Sequence, residues 1–425
     1  METPPTCGVH ADALDPALVR PAFPGLEREV CGRPAVFFDG PAGSQVPRVV
    51  ADAVSAYLLG TNGNEGGPTA TSRASDEVVG EARRRCAVLL GAPDPDCIAF
   101  GSNMTTLTLA LSRAVARTWE AGDEVIVTRQ EHDANVTPWV LAARDAGASV
   151  RWWDVEGREG TLDPARLDEL LSPKTRMVAF GYASNLTGTV QPVADIARRV
   201  RAAGALTFVD AVHYVPHGPI DVEALGIDLL SASAYKFFGP HLGLLWGRRA
   251  LLEDLEPYKL RPSSDHLPAR WQTGTPNLEG IAGLGAAIGY LASLSGRPEV
   301  TRENLLEAFE RIATHESQLL ERLLAGLAEL PGLELWGVAN HVRLDRRVPT
   351  VSFTHPSLTP GELATLLAER GIFTRAGNHY ALPLTEALGL EPGGTLRVGL
   401  LHYNTAEEVE RLLKELHTLL VPETG

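Results

Sequence analysis

The chain runs out of cysteine early. Its four cysteines, Cys7, Cys31, Cys86 and Cys97, lie in the first quarter of 425 residues and form no CxxC pair. That spacing excludes a zinc knuckle and a disulfide framework and suits a reducing compartment. Long apolar runs are also missing: nothing approaches the ~18 consecutive apolar residues of a membrane span. The start, Met1-Glu2-Thr3-Pro4-Pro5, has neither a basic n-region nor an apolar h-region. No membrane partner and no signal peptide are therefore expected, and the localisation reads as cytoplasmic. Positive charge is scarce, with 38 Lys and Arg against 53 Asp and Glu and a net charge of −15. A phosphate backbone needs a basic face, so nucleic acid is not an expected partner. No GxGxxG follows the first predicted parallel strand, which argues against a dinucleotide-binding dehydrogenase.

What is present is a regular alternation. Helical spacing over 46–60 and near 75–91, 104–119, 137–147, 164–171 and 193–203 is interrupted by short apolar runs. Those runs are Cys97–Phe100, Glu124–Val127, Ser149–Trp153, Met177–Phe180, Leu206–Val209, Leu229–Ser231 and Gly243–Trp246. Runs that are continuously apolar are buried on both faces, so the spacing predicts an α/β fold with a mostly parallel central sheet. After about residue 285 the pattern changes to a long helix over 302–329, a strand at Pro349–Phe353, a helix at 360–370, an irregular stretch through 383, a strand at Thr395–Leu400 and a closing helix at 405–419. The expected organisation is an N-terminal segment (1–30) packing with the small domain, a large domain (31–285) and a small α+β C-terminal domain (286–425).

The segment Ser231-Ala232-Ser233-Ala234-Tyr235-Lys236-Phe237-Phe238-Gly239-Pro240 places one lysine between an apolar strand and a Gly-Pro turn. A lysine held at a strand end among aromatics is partly desolvated, which frees a nucleophilic amine able to form a Schiff base with an aldehyde cofactor. Asp210 closes the preceding apolar strand, where a carboxylate could keep a pyridine nitrogen protonated and make the ring an electron sink. In parallel sheets, ligands bind at the carboxyl ends of strands, where both residues fall.

Taken with Gly101-Ser102-Asn103-Met104-Thr105, Glu131-His132-Asp133-Ala134-Asn135, Tyr182–Gly188, Gly274-Thr275-Pro276-Asn277, Leu396–Leu400 and Tyr403-Asn404-Thr405, the chain resembles the class V aminotransferase group of fold-type I pyridoxal 5'-phosphate enzymes, in particular its cysteine desulfurase-like branch. The resemblance implies a cofactor on Lys236, its ring nitrogen on Asp210 and its ring under His132. It puts the phosphate at the helix start of Ser102 and Asn103, an anion site by virtue of its backbone N–H groups, with the Ser233 hydroxyl beside it. It places Asn185 near the cofactor's 3′-oxygen and the substrate carboxylate, and His213 on the phenolic oxygen, where many relatives carry glutamine. Arg397 stands as the clamp for the carboxylate of a small amino-acid substrate, a task suited to its planar bidentate fork. Thr275 stands where the motif reaches the partner's phosphate, which implies a homodimer. No metal is implied.

Three positions depart from the family. Tyr380, in Arg375-Ala376-Gly377-Asn378-His379-Tyr380, stands where a desulfurase carries its sulfur-accepting cysteine; Tyr235 precedes the lysine where many carry histidine; and the loop Asn62–Pro68 carries Glu65 and no arginine. A tyrosine cannot form a persulfide. The expected activity is therefore carbon–sulfur lyase β-elimination on a cysteine derivative, with Lys236, His132 and Tyr380 as catalytic candidates. Transamination and epimerisation use the same parts. A catalytically silent scaffold of the same fold is expected to have lost Lys236 or Asp210, and both are present.

Overall fold

A computed structural model of the chain describes residues 13–339 and 341–421. Cys7 and the start of the N-terminal segment lie outside the described residues.

Seven strands form the central sheet: β1 (Ile98–Gly101), β2 (Glu124–Thr128), β3 (Ser149–Trp153), β4 (Thr175–Gly181), β5 (Leu206–Asp210), β6 (Leu229–Ser233) and β7 (Gly243–Gly247). Their order is β1-β7-β6-β5-β4-β2-β3. All neighbours pair in parallel except β7, which runs antiparallel to both β1 and β6. The expected mostly parallel sheet is present, and the reason is visible in the burial: every residue of β6 and β7 is buried, as is nearly all of β4. Helices α1 (Arg48–Gly60), α2 (Ala70–Leu90), α3 (Met104–Ala116), α4 (Thr137–Ala146), α5 (Val193–Ala202) and α6 (Leu278–Ser293) belong to this part.

The strand order fixes where a ligand fits. From β2 the chain steps outward to β3, then returns across the sheet through β4, β5 and β6. Loops leaving β2 and β4 therefore diverge and leave a crevice at the carboxyl end, the usual ligand position in such sheets.

The long helix α7 (Arg302–Ala328) links two cores. Its first half, with Leu305, Phe309 and Ile312, packs into the large core, and its second half, from Leu319 to Leu327, into a smaller one. That second core also takes Val351 and Phe353, Leu363 and Leu367, Leu396 and Val398, and Val409 to Leu420. These lie on a four-stranded antiparallel sheet and two helices: β8 (Glu334–Trp336), β9 (Thr350–Thr354), α8 (Pro360–Glu369), β10 (Arg375–Gly377), β11 (Thr395–Gly399) and α9 (Ala406–Leu420), in strand order β8-β9-β11-β10. Position 285, expected to end the large domain, falls inside α6, and the packing changes over between Ile312 and Leu319. The described part of the N-terminal segment meets both units. Phe23 packs edge-on against Phe238, Tyr290 and Tyr403, and Arg20 pairs with Glu408 of α9 at 2.8 Å.

The stretch read as irregular through 383 holds the three-residue strand β10 and a six-residue helix at Leu382–Ala387. Both are too short to leave a periodic signal.

Candidate active site

The crevice predicted by the strand order is a narrow cleft with room of about 60 Å³. Among the residues lining it are His132, Asn185, Asp210, His213, Ser233 and Lys236, six of the residues expected from sequence. Each comes from the carboxyl end of a strand or the loop beyond it, so the sheet itself sets their spacing.

Lys236 ends the single helical turn Ala234–Lys236 that follows β6. Its Nζ donates to the Pro41 carbonyl. Burial, with the nearby Arg397 guanidinium, brings its pKa down to about 7, against a smaller opposing pull from Asp210. A large fraction of the amine is thus unprotonated near neutral pH, which a nucleophile or proton carrier requires. Asp210 accepts from the Val212 N–H at 2.9 Å. Burial raises its carboxyl to about 6, with the Val212 bond and Lys236 pulling the other way. A buried carboxylate facing a cleft is costly until a cation meets it, and a protonated pyridine nitrogen is such a cation.

His132 opens the turn Asp133–Asn135 and accepts from the Ala134 N–H at its Nδ1, 3.0 Å away. That bond leaves Nε2 as the protonated nitrogen of the neutral ring. Burial, then the charges of Lys236 and Arg397, lower its pKa to about 4, so the ring is neutral at physiological pH. His213 is buried, and its Nε2 lies 3.0 Å from Thr350 Oγ1 on β9.

Arg397 is buried on β11 and donates through Nη1 to the Asn185 carbonyl at 2.7 Å. Burial and the neighbouring Arg375 bring its pKa down to about 9. The antiparallel register sets Arg375 directly opposite Arg397. Asn185 is 9% exposed; its amide donates to the His379 carbonyl at 2.8 Å, while its Oδ1 is buried with no hydrogen-bond partner. Tyr380, like Arg397, stands beside the cleft and not in its lining; it is 73% exposed, with its ring 5.4 Å from that of His132 and 15° from parallel. Its carbonyl accepts from the Asp133 N–H at 2.7 Å.

At the phosphate end the structure divides the expected residues. Ser233 Oγ accepts from the Met104 N–H at 2.9 Å, tying the lysine strand to the start of α3. The Asn103 side chain is spent capping that helix, accepting from the Thr106 N–H at 2.9 Å in a reciprocal capping box. Thr105 lines the cleft. Ser102 and Thr275 are exposed and line a neighbouring groove of about 250 Å³ with His241 and Gln272. Within one chain, neither is a wall of the lysine cleft.

Sequence reasoning gave no role to one charged residue of the cleft wall. Glu131 is buried and accepts from Thr128 Oγ1, Asn135 Nδ2 and the Gly181 N–H at 2.6, 2.7 and 2.8 Å. Burial raises its carboxyl to about 7 against those three bonds. Its signal was its place between an apolar strand and the histidine motif. The Tyr235 ring stacks on His241, 5.0 Å away at 14°, and so separates the cleft from the groove of Ser102 and Thr275.

The residues fit pyridoxal phosphate. A depressed lysine and an elevated aspartate face one cleft, an unspent amide oxygen lies in its wall, and a helix start closes one end. Among the described residues no cluster of His, Cys, Asp and Glu could hold a metal ion, and no helix is long and apolar enough to cross a membrane.

Comparison with known proteins agrees with this geometry. The family model for aminotransferase class-V matches residues 36–412. A probable cysteine desulfurase of Streptomyces coelicolor is 33% identical over 424 residues, covering 95% of this chain and 96% of the relative. The cysteine desulfurase of Serratia proteamaculans is 31% identical over 416 residues, covering 94% and 97%. Among solved structures, the apo cysteine desulfurase of Thermococcus onnurineus NA1 superposes with a TM-score of 0.86 at 28% identity, over 96% of this chain and 99% of that one.

Proposed function

This chain belongs to the aminotransferase class-V family as a cysteine desulfurase-like, pyridoxal-phosphate-dependent enzyme, and from that premise we propose that it cleaves the carbon–sulfur bond of an S-substituted cysteine by β-elimination. The observation that carries the proposal is Tyr380 beside the cleft, stacked near His132, where a sulfur-accepting thiol would be needed. Among the described residues no cysteine supports that role. Burial pushes the thiols of Cys86 and Cys97 up to about 12, far from the thiolate that sulfur transfer requires. Cys31 is exposed beside the Glu369 carbonyl and is no part of the cleft wall.

The cofactor supplies the electron sink for a carbanion at the substrate Cα. The chain's own residues do the rest. Arg397 and Asn185 hold the α-carboxylate. Lys236 would carry the cofactor, and its amine would take the substrate Cα proton. The Cβ–S bond then breaks, the sulfur leaving with its electron pair and its substituent as a thiol. The three-carbon remainder ends as pyruvate and ammonia after hydrolysis. His132, neutral and exposed to the cleft through Nε2, is placed to pass a proton to the departing sulfur. Asp210 would balance a protonated ring nitrogen of the cofactor, and His213 would face its phenolic oxygen.

The same reading makes the working unit a homodimer in which Thr275 serves the partner's phosphate. Its exposure, and its separation from its own chain's lysine cleft, support that assignment. A monomer that holds the cofactor tightly would contradict it.

The test is incubation of the loaded protein with cysteine and with S-alkyl cysteines, following pyruvate, ammonia, thiol, alanine and amino transfer together. Pyruvate, ammonia and thiol in equal amounts support the lyase. Alanine with a persulfide on any of the four cysteines overturns it. Amino transfer to a keto acid without pyruvate makes the protein an aminotransferase.

A further inference from the structure

Behind the cleft wall lies a second set of buried titratable groups that the proposed reaction does not use. His213 faces the cleft on one side. On the other, the ring of His217 lies 5.9 Å away at 71°, edge to face. His217 Nδ1 meets Glu316 Oε2 at 2.8 Å, with the two side chains 6% and 3% exposed. Glu316 sits on α7, near the point where that helix passes from one core to the other. Its neighbour His315 bonds the Asn404 carbonyl through Nε2 at 2.9 Å. His402 Nε2 meets the Tyr290 hydroxyl at 2.6 Å.

Two atoms of this set, Glu316 Oε1 and His402 Nδ1, are buried without a hydrogen-bond partner among the described residues. A carboxyl group with one oxygen on an imidazole and the other on nothing is an expensive way to fill a core. Packing alone would be served better by an amide or a methionine. A proton entering the cluster has several imidazoles to choose from, but of His213, His217, His315 and His402 only His217 has a carboxylate within hydrogen-bond distance.

We propose that His217 and Glu316 form a proton-holding pair behind the cleft wall that keeps His213 neutral. Both are positioning residues that act through His213. The inference rests on the reading that His213 faces the bound cofactor. The charges around His213 point the same way. It faces Lys236 and Arg397 from the cleft and His217 from behind, and these, after burial, hold its pKa well below the ordinary imidazole value. His217 has Glu316 on one side and His402, itself held neutral by burial and by His315 and His217, on another. Asp210 closes β5 three residues before His213 and is occupied by the Val212 N–H. A proton held by the pair would repel a second one at His213, whose Nε2 is committed to Thr350.

The experiment uses full-length protein labelled with ¹⁵N-histidine, with and without pyridoxal phosphate. The nitrogen signals are followed between about pH 5 and 9, the range in which an unperturbed imidazole titrates, and His213 is assigned from the spectrum of His213→Gln. In the wild type His213 should stay flat across the range while His217 takes the first proton. In Glu316→Gln, and in His217→Asn, His213 should titrate. In the loaded protein the pH midpoint of the visible absorption band should fall in Glu316→Gln by at least about half a unit. That shift should vanish in a His213→Gln background, since the coupling runs through His213. Identical His213 signals in the wild type and Glu316→Gln overturn the proposal, as does a band shift that survives His213→Gln. If neither variant folds, the wild-type series decides: His213 protonating before His217 overturns the proposal, and the reverse order sustains it. If no visible band forms on adding the cofactor, the cleft reading fails, while the spectra of the cofactor-free protein still decide the pair.

Discussion

The two sides of the cleft are built on different terms. The large-domain wall is strand ends: Asp210, His213, Ser233 and Glu131 are buried and held by short hydrogen bonds to neighbouring strands and loops. The small-domain side is a loop, Gly377 to Tyr380, lying between a three-residue strand and a short helix. His379 and Tyr380 there both take left-handed backbone conformations, at φ 55° and 59°. Such residues cost about 1–2 kcal/mol each. The bonds Asn185 Nδ2 to the His379 carbonyl and Asp133 N–H to the Tyr380 carbonyl hold the strained loop against two cofactor-side loops. On the proposed reading the rigid wall would carry the cofactor chemistry, and the strained loop holds Tyr380, one of this chain's departures from the family pattern. A family's common step and its divergent outcome can thus be sited on opposite sides of one cleft.

The contrast breaks most sharply at Lys236. Lys236→Ala should lower turnover by at least about a thousandfold, because a group that both anchors the cofactor and moves the proton has no substitute. Some cofactor should still bind through Asp210, Ser233 and the start of α3, with its absorption shifted to that of the free aldehyde. Full turnover in this variant would remove the lysine from the mechanism.

Arg397 joins the two sides, since it stands on a small-domain strand and bonds a large-domain carbonyl. Arg397→Lys keeps one positive charge but loses the planar fork. The expected loss is on the order of a hundredfold in kcat/KM for an α-amino acid, mostly in KM, with the cofactor spectrum unchanged. An unchanged KM would place the substrate carboxylate elsewhere.

The rigid wall should also carry a cost in stability that can be measured. The Asp210 carboxyl, ordinarily at 3.8, stands at about 6 in the fold because burial disfavours its charge. The folded state therefore binds that proton more tightly than the unfolded state does. Stability increases as pH falls from about 6 towards 3.8, and the full penalty is present above 6. Two pKa units correspond to about 3 kcal/mol as an upper figure. Cofactor-free Asp210→Asn should accordingly be more stable than the wild type at pH 8 by about 2 kcal/mol, and equal to it near pH 4. Denaturant titrations at the two pH values read the difference; a variant less stable at pH 8 would show that the carboxylate is satisfied without the cofactor.

The sequence made the rigid wall legible because its cues are local. Lys236 and Asp210 each close an apolar run, and strand ends are where such sheets bind ligands. Contacts that come from far along the chain were not legible. Glu131 drew no role from its own motif, because the Gly181 N–H that covers it comes from 50 residues on. The hold of Thr350 on His213 spans 137 residues. Asn103 shows the opposite limit, where a local cue had two meanings: an asparagine before a helix can cap it or bind an anion, and here the side chain caps. The mostly parallel sheet followed from burial on both faces. The place where the long helix changes cores was marked only by a break in its apolar stripe, where the buried positions between Ile312 and Leu319 are His315 and Glu316.

The smallest effect is expected on the strained side, and it separates packing from chemistry at Tyr380. With 73% of its surface exposed, the Tyr380 ring contributes little to folding, and Tyr380→Ala should change stability by no more than about 0.5 kcal/mol. Tyr380→Gly should be somewhat more stable than the alanine variant, because glycine accepts φ near 59° without a Cβ penalty. If the ring were only a loop filler, both variants would keep the wild-type division among pyruvate, alanine and amino transfer. If it walls the substrate pocket or relays a proton, both should shift that division while their stabilities stay within a few tenths of a kcal/mol of the wild type. Tyr380→Cys adds the complementary case. It places a thiol where His132 already stacks, and mass spectrometry after treatment with cysteine should then find a persulfide on residue 380 that the wild type does not form. A variant that gains the thiol and no persulfide would mean that the loop, as held by Asn185 and Asp133, does not bring position 380 to the substrate sulfur, and the choice of reaction would have to be sought on the buried wall.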